Sequence, residues 1–295
     1  MQPLIWDHRP SGLRAPIMVC AFEGWNDAGD AASAAVDFMS ETLHAEVFAQ
    51  VDIEEFYDFQ LNRPRIQIVE GERREIEWPC VQISAAEVPH ARQDLVFVHG
   101  HEPSLRWRTF GRLIAELAEA LDVQLVVTLG ALLADVPHTH PVAMTGFASE
   151  PKLMRRLGTA RAGSYEGPTG IIGVLHSAIA EAGLPAVSLW ASVPHYVAAA
   201  PSPKAALALV RRLEGLLGVA FDASDLERAA ENYERQVGLA VSSDPDVQAF
   251  VERLERDAES ETELLSPEEL PSGDLLARQF QRFLRQRGPD GPRGS

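Results

Sequence analysis

Short apolar runs alternate with longer amphipathic stretches over most of the chain, and the apolar runs tend to end in polar clusters. Pro16–Phe22 is a run of the kind that fills a buried strand. Glu23, Gly24, Trp25, Asn26 and Asp27 break it, and the small-residue stretch from Ala28 reads as a helix. Asn26 or Asp27 is placed to cap that helix, accepting hydrogen bonds from its first free N–H groups. Ala45–Val51 reads as a second strand and Asp52–Asn62 as a loop with a short helical turn. Ile66–Val69 and Glu75–Trp78 flank Gly71 as a hairpin. Val81–Ser84 and Asp94–His99 read as strands, the latter ending in Gly100-His101-Glu102-Pro103. Thr109–Leu121 is amphipathic, with Phe110, Leu113, Ile114, Leu117 and Leu121 at helical spacing.

Val123–Leu129 is the most continuous apolar run and reads as a central strand covered on both faces. Gly130–His140 follows as a third polar strand end. Val142–Phe147 predicts another strand and Pro151–Leu157 a short helix. The turn-rich segment Ser164–Gly170 leads into a helix over Ile171–Ala182, stopped by Gly183 and Pro185. Ala186–Val193 is the last core strand and empties into Pro194-His195-Tyr196. Ser202 as cap and Pro203 in the first turn open a helix over Lys204–Leu217. This alternation predicts an α/β fold, a three-layer α/β/α sandwich with a mostly parallel central sheet.

From about Asp222 the strand signals vanish. Asp225–Val241, Pro245–Ala258 and Asp274–Arg287 read as helices, the first two heavily charged and the last with an apolar stripe. The expected organisation is an α/β core over 1–221, a charged helical appendage over 222–287, and a disordered tail over 288–295.

Charge narrows the partners. A formal net charge of −17 over 295 residues argues against a nucleic-acid binder, which needs a basic surface to neutralise phosphates. It equally disfavours an anionic membrane surface. Cys20 and Cys80 lie inside or beside apolar runs and read as buried thiols in a reducing cytoplasm, without a disulfide framework or a cysteine metal site. The N-terminus lacks the basic start and apolar core of a signal peptide, and no apolar stretch reaches the roughly 20 residues of a membrane span. A cytoplasmic location is expected.

The candidate chemistry gathers at the strand ends, which a doubly wound sheet places along one edge. The candidate cleft comprises Glu23, Trp25, Asn26 and Asp27 from the first end, and His101 with Glu102 from the second. Asp135 and His138, then Tyr165, Glu166 and Thr169, and finally His195 with Tyr196 complete it. His99-x-His101 and His138-x-His140 offer metal-ligand types, but only as loop pairs, and hydrogen-bonded loop histidines account for them more simply. Neither a metal nor a cofactor is expected. No G-x-S-x-G elbow, P-loop or dinucleotide fingerprint occurs, and catalytic residues are not assigned. Gly167-Pro168-Thr169-Gly170 before a helix could present N–H groups to an anion, although a tight turn without ligand suffices.

Four separated blocks carry a family resemblance: FEGWNDAGDAAS (Phe22–Ser33), LGALLADVPHTHP (Leu129–Pro141), YEGPTGIIGVL (Tyr165–Leu175), and VPHYV (Val193–Val197) with PSPKA (Pro201–Ala205). In this order they resemble the proteasome assembly chaperone 2 family, and most closely its actinobacterial branch. The resemblance implies a three-layer α/β/α domain related in fold to nucleoside phosphorylases. It implies a non-catalytic, homo-oligomeric protein-interaction or assembly factor, with proteasome subunits or another protein assembly as partner. Eukaryotic relatives dock a hydrophobic–tyrosine–any-residue C-terminal ending between proteasome α subunits. This chain ends Arg293-Gly294-Ser295, so docking of that kind is not expected of it. The alternative is a small-molecule enzyme or sensor, acting on a nucleoside-like ligand at the polar strand-end cleft.

Overall fold

A computed structural model describes residues 3–69, 73–156, 161–162, 166–197 and 201–265. Its strands are β1 (Leu4–Trp6), β2 (Ile17–Glu23), β3 (Glu46–Val51), β4 (Arg65–Val69), β5 (Arg73–Glu77), β6 (Val81–Ala86), β7 (Leu95–His101), β8 (Leu125–Ala134), β9 (Met144–Ala148), β10 (Arg161–Ala162) and β11 (Ala186–Pro194). Its helices are α1 (Ala31–Thr42), α2 (Trp107–Ala120), α3 (Pro151–Arg156), α4 (Ile171–Glu181), α5 (Pro203–Leu217), α6 (Ser224–Ser242) and α7 (Pro245–Leu265). The expected helix over Asp274–Arg287 and the tail lie outside the described residues. The chain divides into two units, Met1–Ala240 and Val241–Ser295. In the second, α7 buries Val251 and Leu254.

The first unit is organised by the alternation of side chains along its strands. In β2, Val19 and Ala21 face one side of the sheet while Met18, Cys20 and Phe22 face the other, all fully buried. In β7, Leu95 and Phe97 join the first set, Val96 and Val98 the second. α1 and α5 cover the first face with Ala35, Val36, Met39, Leu209 and Leu213. α2 and α4 cover the second with Phe110, Ile114, Leu117, Ile172 and Leu175. Phe110 meets Phe22 and Phe56 edge-on, with ring centroids 5.6 and 5.5 Å apart. Such pairs add about 0.5–1.5 kcal/mol beyond burial.

Nine strands form the main sheet in the order β1-β3-β6-β7-β2-β8-β11-β9-β10, with β4 and β5 as a separate ribbon. The expectation of a mostly parallel sheet is corrected: the sheet is mixed. β7, β2, β8 and β11 run parallel at its centre, and β9 pairs parallel with β10. β1–β3, β3–β6, β6–β7 and β9–β11 are antiparallel. The connection over 87–94 is too short for the crossover helix that a parallel neighbour needs. Helical periodicity identifies crossovers but is silent about such short returns.

β8 also runs further than its apolar stretch. Gly130 does not end the strand; pairing with β11 continues to Ala134 opposite Pro194. A Cβ at Gly130 would lie 2.6 Å from the Trp190 ring, so this glycine marks a close approach inside the sheet, not a turn.

Candidate functional site

β2 is followed by α1 on one face of the sheet, and its parallel neighbour β7 by α2 on the other. Connections that leave adjacent strands to opposite faces open a crevice at the strand ends, the usual place for a ligand in such sheets. Glu23, Asn26, His101 and Glu102 stand there.

The turn after β2 begins at Gly24, whose φ of 116° is one that side-chain-bearing residues rarely adopt. The Asp27 N–H closes it on the Gly24 carbonyl at 3.1 Å. The Ala131 N–H donates to the Asn26 carbonyl at 2.8 Å, stitching the turn to β8. A short 3₁₀ turn over Ala28–Asp30 then precedes α1. The expected capping role falls to Asp27, acting from outside the helix. Its Oδ1 accepts from the Ala32 N–H at 2.6 Å, and its Oδ2 accepts from the Ser33 N–H at 3.2 Å and the Ser33 hydroxyl at 2.5 Å. Burial pushes the Asp27 carboxyl above the ordinary aspartate range, and these hydrogen bonds offset only part of that.

Asn26 does something else. It is buried, and its Nδ2 donates to Glu102 Oε1 at 2.7 Å. The same oxygen accepts from the Ile171 N–H at 2.8 Å, the first free donor of α4. Glu102 is thereby the anion at the α4 N-terminus, where a carboxylate is favoured by the helix dipole. Asn26 Oδ1 has no hydrogen-bond partner among the described residues and wedges against Gly170, where a Cβ would sit 2.3 Å away. Thr169 is exposed, its hydroxyl 3.4 Å from the Gly170 carbonyl. Gly167–Gly170 therefore leads into a helix end already occupied by the chain's own carboxylate.

The other expected residues pair locally. His101 Nε2 lies 3.2 Å from Glu23 Oε2, and the Tyr57 hydroxyl donates to the His101 carbonyl at 2.5 Å. His195 Nδ1 lies 2.9 Å from Asp135 Oδ1. His138 is buried, donates its N–H to the Tyr196 hydroxyl at 2.7 Å, and holds Nδ1 2.9 Å from the same oxygen. Lys204 Nζ donates to the His138 carbonyl and to Glu234 Oε2, both at 2.5 Å. Trp25 and Glu166 are exposed, and Tyr165 lies outside the described residues. The structure thus gathers two bonded groups, one at the ends of β2 and β7 and one at the ends of β8 and β11.

His99 is a residue that the candidate cleft omitted. The pair His99-x-His101, expected as hydrogen-bonded loop histidines, lies within β7, and alternate residues of a strand share a face. Both side chains continue the Leu95–Phe97 face beyond its apolar core. His99 Nδ1 meets Asp37 Oδ1 of α1 at 3.1 Å, while His101 meets Glu23. Each imidazole has its own carboxylate. Among the described residues no group of three or more His, Cys, Asp or Glu is arranged to hold a metal ion. The two pairs open into a cleft of about 540 Å³ that also takes in Arg63, Arg65, Glu77, Trp78 and Cys80. Burial pushes the Cys80 thiol up, which removes it as a nucleophile near neutral pH. The register that pairs Glu23 with His101 and Ala21 with His99 is the signal that locates this cleft, and it belongs to the sheet, not to any local stretch.

Fold and site together define an α/β protein with a mixed sheet flanked by helices, whose strand-end acids Asp27 and Glu102 bind the N-termini of its own helices. The PAC2 family model matches residues 21–241, and the chain belongs to that family. The chain is 45% identical to the Mycobacterium tuberculosis proteasome-assembly chaperone homologue Rv2125, with a TM-score of 0.74, covering 80% of this chain and 99% of that one. It is 48% identical to a PAC2 family protein from Streptomyces avermitilis, with the same TM-score and the same coverage. The Pyrococcus furiosus proteasome activator PbaB shares the fold at 16% identity, with a TM-score of 0.65 over 81% of this chain and 99% of that one. No curated protein matches the chain. Among the described residues no helix is long and apolar enough to cross a membrane.

Proposed function

We infer that this protein is a non-catalytic, oligomeric protein-interaction or assembly factor of the proteasome-assembly-chaperone kind. On this reading it works in the cytoplasm, has a nucleoside-phosphorylase-like core over 1–221 and a helical appendage over 222–287, and uses neither cofactor, nucleic acid nor membrane. The carrying observation is the β4–β5 ribbon. Ile66 pairs with Ile76 across it and Ile68 lies on the same face, and the three are 65%, 55% and 67% exposed. The opposite face is mostly polar, with Arg65 opposite Glu77, Gln67 opposite Glu75 and Val69 opposite Arg73. A two-stranded ribbon is marginal on its own, and an exposed isoleucine face invites pairing unless something covers it.

A second copy of the chain suits that face. Arg65, Arg73, Glu75 and Glu77 lie on the opposite face, and Arg74 alone of the ribbon's charged residues shares the face of the isoleucines. Among the described residues none of the acidic side chains behind the net charge of −17 stands on that ribbon face, so two copies meeting there avoid much of the repulsion they would meet elsewhere. Proteasome subunits are the further partner, by analogy with the description of the M. tuberculosis relative. Light scattering on the eluting full chain should give a multiple of 32.3 kDa. The Ile66→Lys, Ile76→Lys double variant should run as the monomer. A wild type that stays monomeric at micromolar concentration would refute the oligomeric reading. Recovery of no α-type proteasome subunit by crosslinking in cell extract would refute the proteasome partner alone.

A further inference from the structure

Among the described residues, the isoleucine face of the ribbon has a cation towards one end and an indole at the other. On β5 that face holds Arg74 and Ile76, with Ile68 and Ile66 opposite them on β4. Trp78 continues the line. It follows the last paired residue, Glu77, and precedes Pro79, a position that favours extended backbone, so the alternation of β5 carries on to it. Its ring leans edge-on against Phe59 with centroids 5.0 Å apart and stays 44% exposed. Arg74 is exposed and makes no ion pair or hydrogen bond, whereas its neighbour Arg73, on the polar face, pairs with Glu75. Arg65 and Glu77 of the polar face line the cleft, so the isoleucine face looks the other way, towards solvent.

Ile66 and Ile76 form the middle row of this face, and Arg74 and Trp78 lie two residues to either side of Ile76. That spacing makes the face complementary to itself, as an isologous interface requires. We propose that two copies pack these faces together about a two-fold axis running along the Ile66–Ile76 row, so that Arg74 of each lies over the indole of the partner's Trp78. This rests on the assembly reading and adds to it a register and an anchoring pair. Residues on the axis meet their own counterparts, isoleucine on isoleucine. A guanidinium over an indole face is attracted by the ring quadrupole, the more so once flanking apolar groups exclude water. An axis along the strands would instead set Arg74 against the partner's Ile68, where neither a ring nor an acceptor meets the charge. It would also bring the bodies of two chains of net charge −17 to the same end of the ribbon pair.

Sedimentation equilibrium on the full chain gives the dissociation constant. The two-fold axis makes the Arg74 contact twice, so Arg74→Gln and Trp78→Leu should each weaken association about tenfold. The double variant should be little weaker than either alone, the coupling that a double-mutant cycle reads. Arg74→Lys should recover part of the loss, since it keeps the charge without the planar stack. Crosslinking tests the register separately. In a Cys80→Ser background, where the remaining Cys20 is fully buried, a short bis-maleimide should join two copies through Ile76→Cys, which lies on the axis. It should not join them through Ile68→Cys, whose two counterparts lie at opposite ends. No loss from Arg74→Gln, additive losses at 74 and 78, or crosslinking through 68 in preference to 76 would overturn this arrangement while leaving association at the ribbon intact. A wild type that stays monomeric refutes the assembly reading and takes this proposal with it.

Discussion

Asn26 and Asp27 are 1% and 4% exposed, whereas Ile66 and Ile68 are 65% and 67% exposed. The two segments invert the usual division of labour. At the end of β2, polar side chains are taken from water and spent on other parts of the fold: Asp27 on the N-terminus of α1, Asn26 and Glu102 on that of α4. On the ribbon, apolar side chains are left in water with nothing of the described chain over them. Buried polar groups must find partners, and here the partners are the free donors that every helix start provides. The strand ends therefore act as joints that bind sheet to helix, and the hairpin is where apolar side chains stay exposed.

The largest effect expected from this contrast is at Asp27. Asp27→Ala removes the acceptor of three hydrogen bonds and strands donors at the first turn of α1. Loss of a cap costs about 0.5–2 kcal/mol and an unsatisfied buried donor about 1–3 kcal/mol. A total near 3 kcal/mol should appear in urea unfolding. Asp27→Asn keeps one acceptor and should lose about 1 kcal/mol. A loss under about 0.5 kcal/mol for Asp27→Ala would break the comparison, because the carboxylate would then be held ready for a ligand instead of for the helix.

A smaller effect of opposite sign at two sites sharpens it. Asp27 and Asp94 are both buried carboxyls, but only Asp94 has a cation. Burial opposes ionisation of Asp94. The Arg14 guanidinium and the backbone N–H groups of Arg14 and Val88 outweigh it and hold the carboxyl below the ordinary range. Asp27 has neutral donors alone and is raised. An unfolded aspartate titrates near about 3.9. Above that value and up to its higher native one, Asp27 holds a proton in the folded state that the unfolded chain has released, so its contribution falls as pH rises through that window. Asp94 contributes fully above about 3.9 and loses its contribution as pH falls towards its lower native value. Urea midpoints from acid to neutral pH should show the advantage of wild type over Asp27→Asn narrowing and that over Asp94→Asn widening. Parallel slopes would mean that the donors around Asp27 do offset its burial.

What could be read from the chain follows the range of the interactions. β2, α2 and α5 come from local periodicity, and the Ser202 cap of α5 from its neighbours; the Ser202 hydroxyl accepts from Ala205 as that position predicts. Asp27 as the acceptor for α1 is equally local. The extension of β8 through Gly130 is not, because its cause is a ring 60 residues away, Trp190. Sheet direction depends on a different cue: the connection over 87–94 is too short for a crossover helix, and helical periodicity does not register such a return. Glu102 is assigned to α4 only by tertiary contact, and the partners of His99 and His101 by strand register. The ribbon's strands were legible from alternation, but whether their apolar face was covered was a property of the whole fold.

The smallest expected effect completes the contrast. If the isoleucine face of the ribbon holds nothing within its own chain, the Ile66→Lys, Ile76→Lys variant should leave the unfolding free energy of the dilute monomer within about 0.5 kcal/mol of wild type. Core isoleucines cost several times that when removed. Both residues are more than half exposed, so little transfer free energy is forfeited, and the new lysines face water. At concentrations where wild type associates, the same variant should unfold more easily, because mass action no longer favours the native state. Stability that is independent of concentration in wild type, with a loss of more than about 2 kcal/mol in the variant, would place the ribbon among the chain's internal supports.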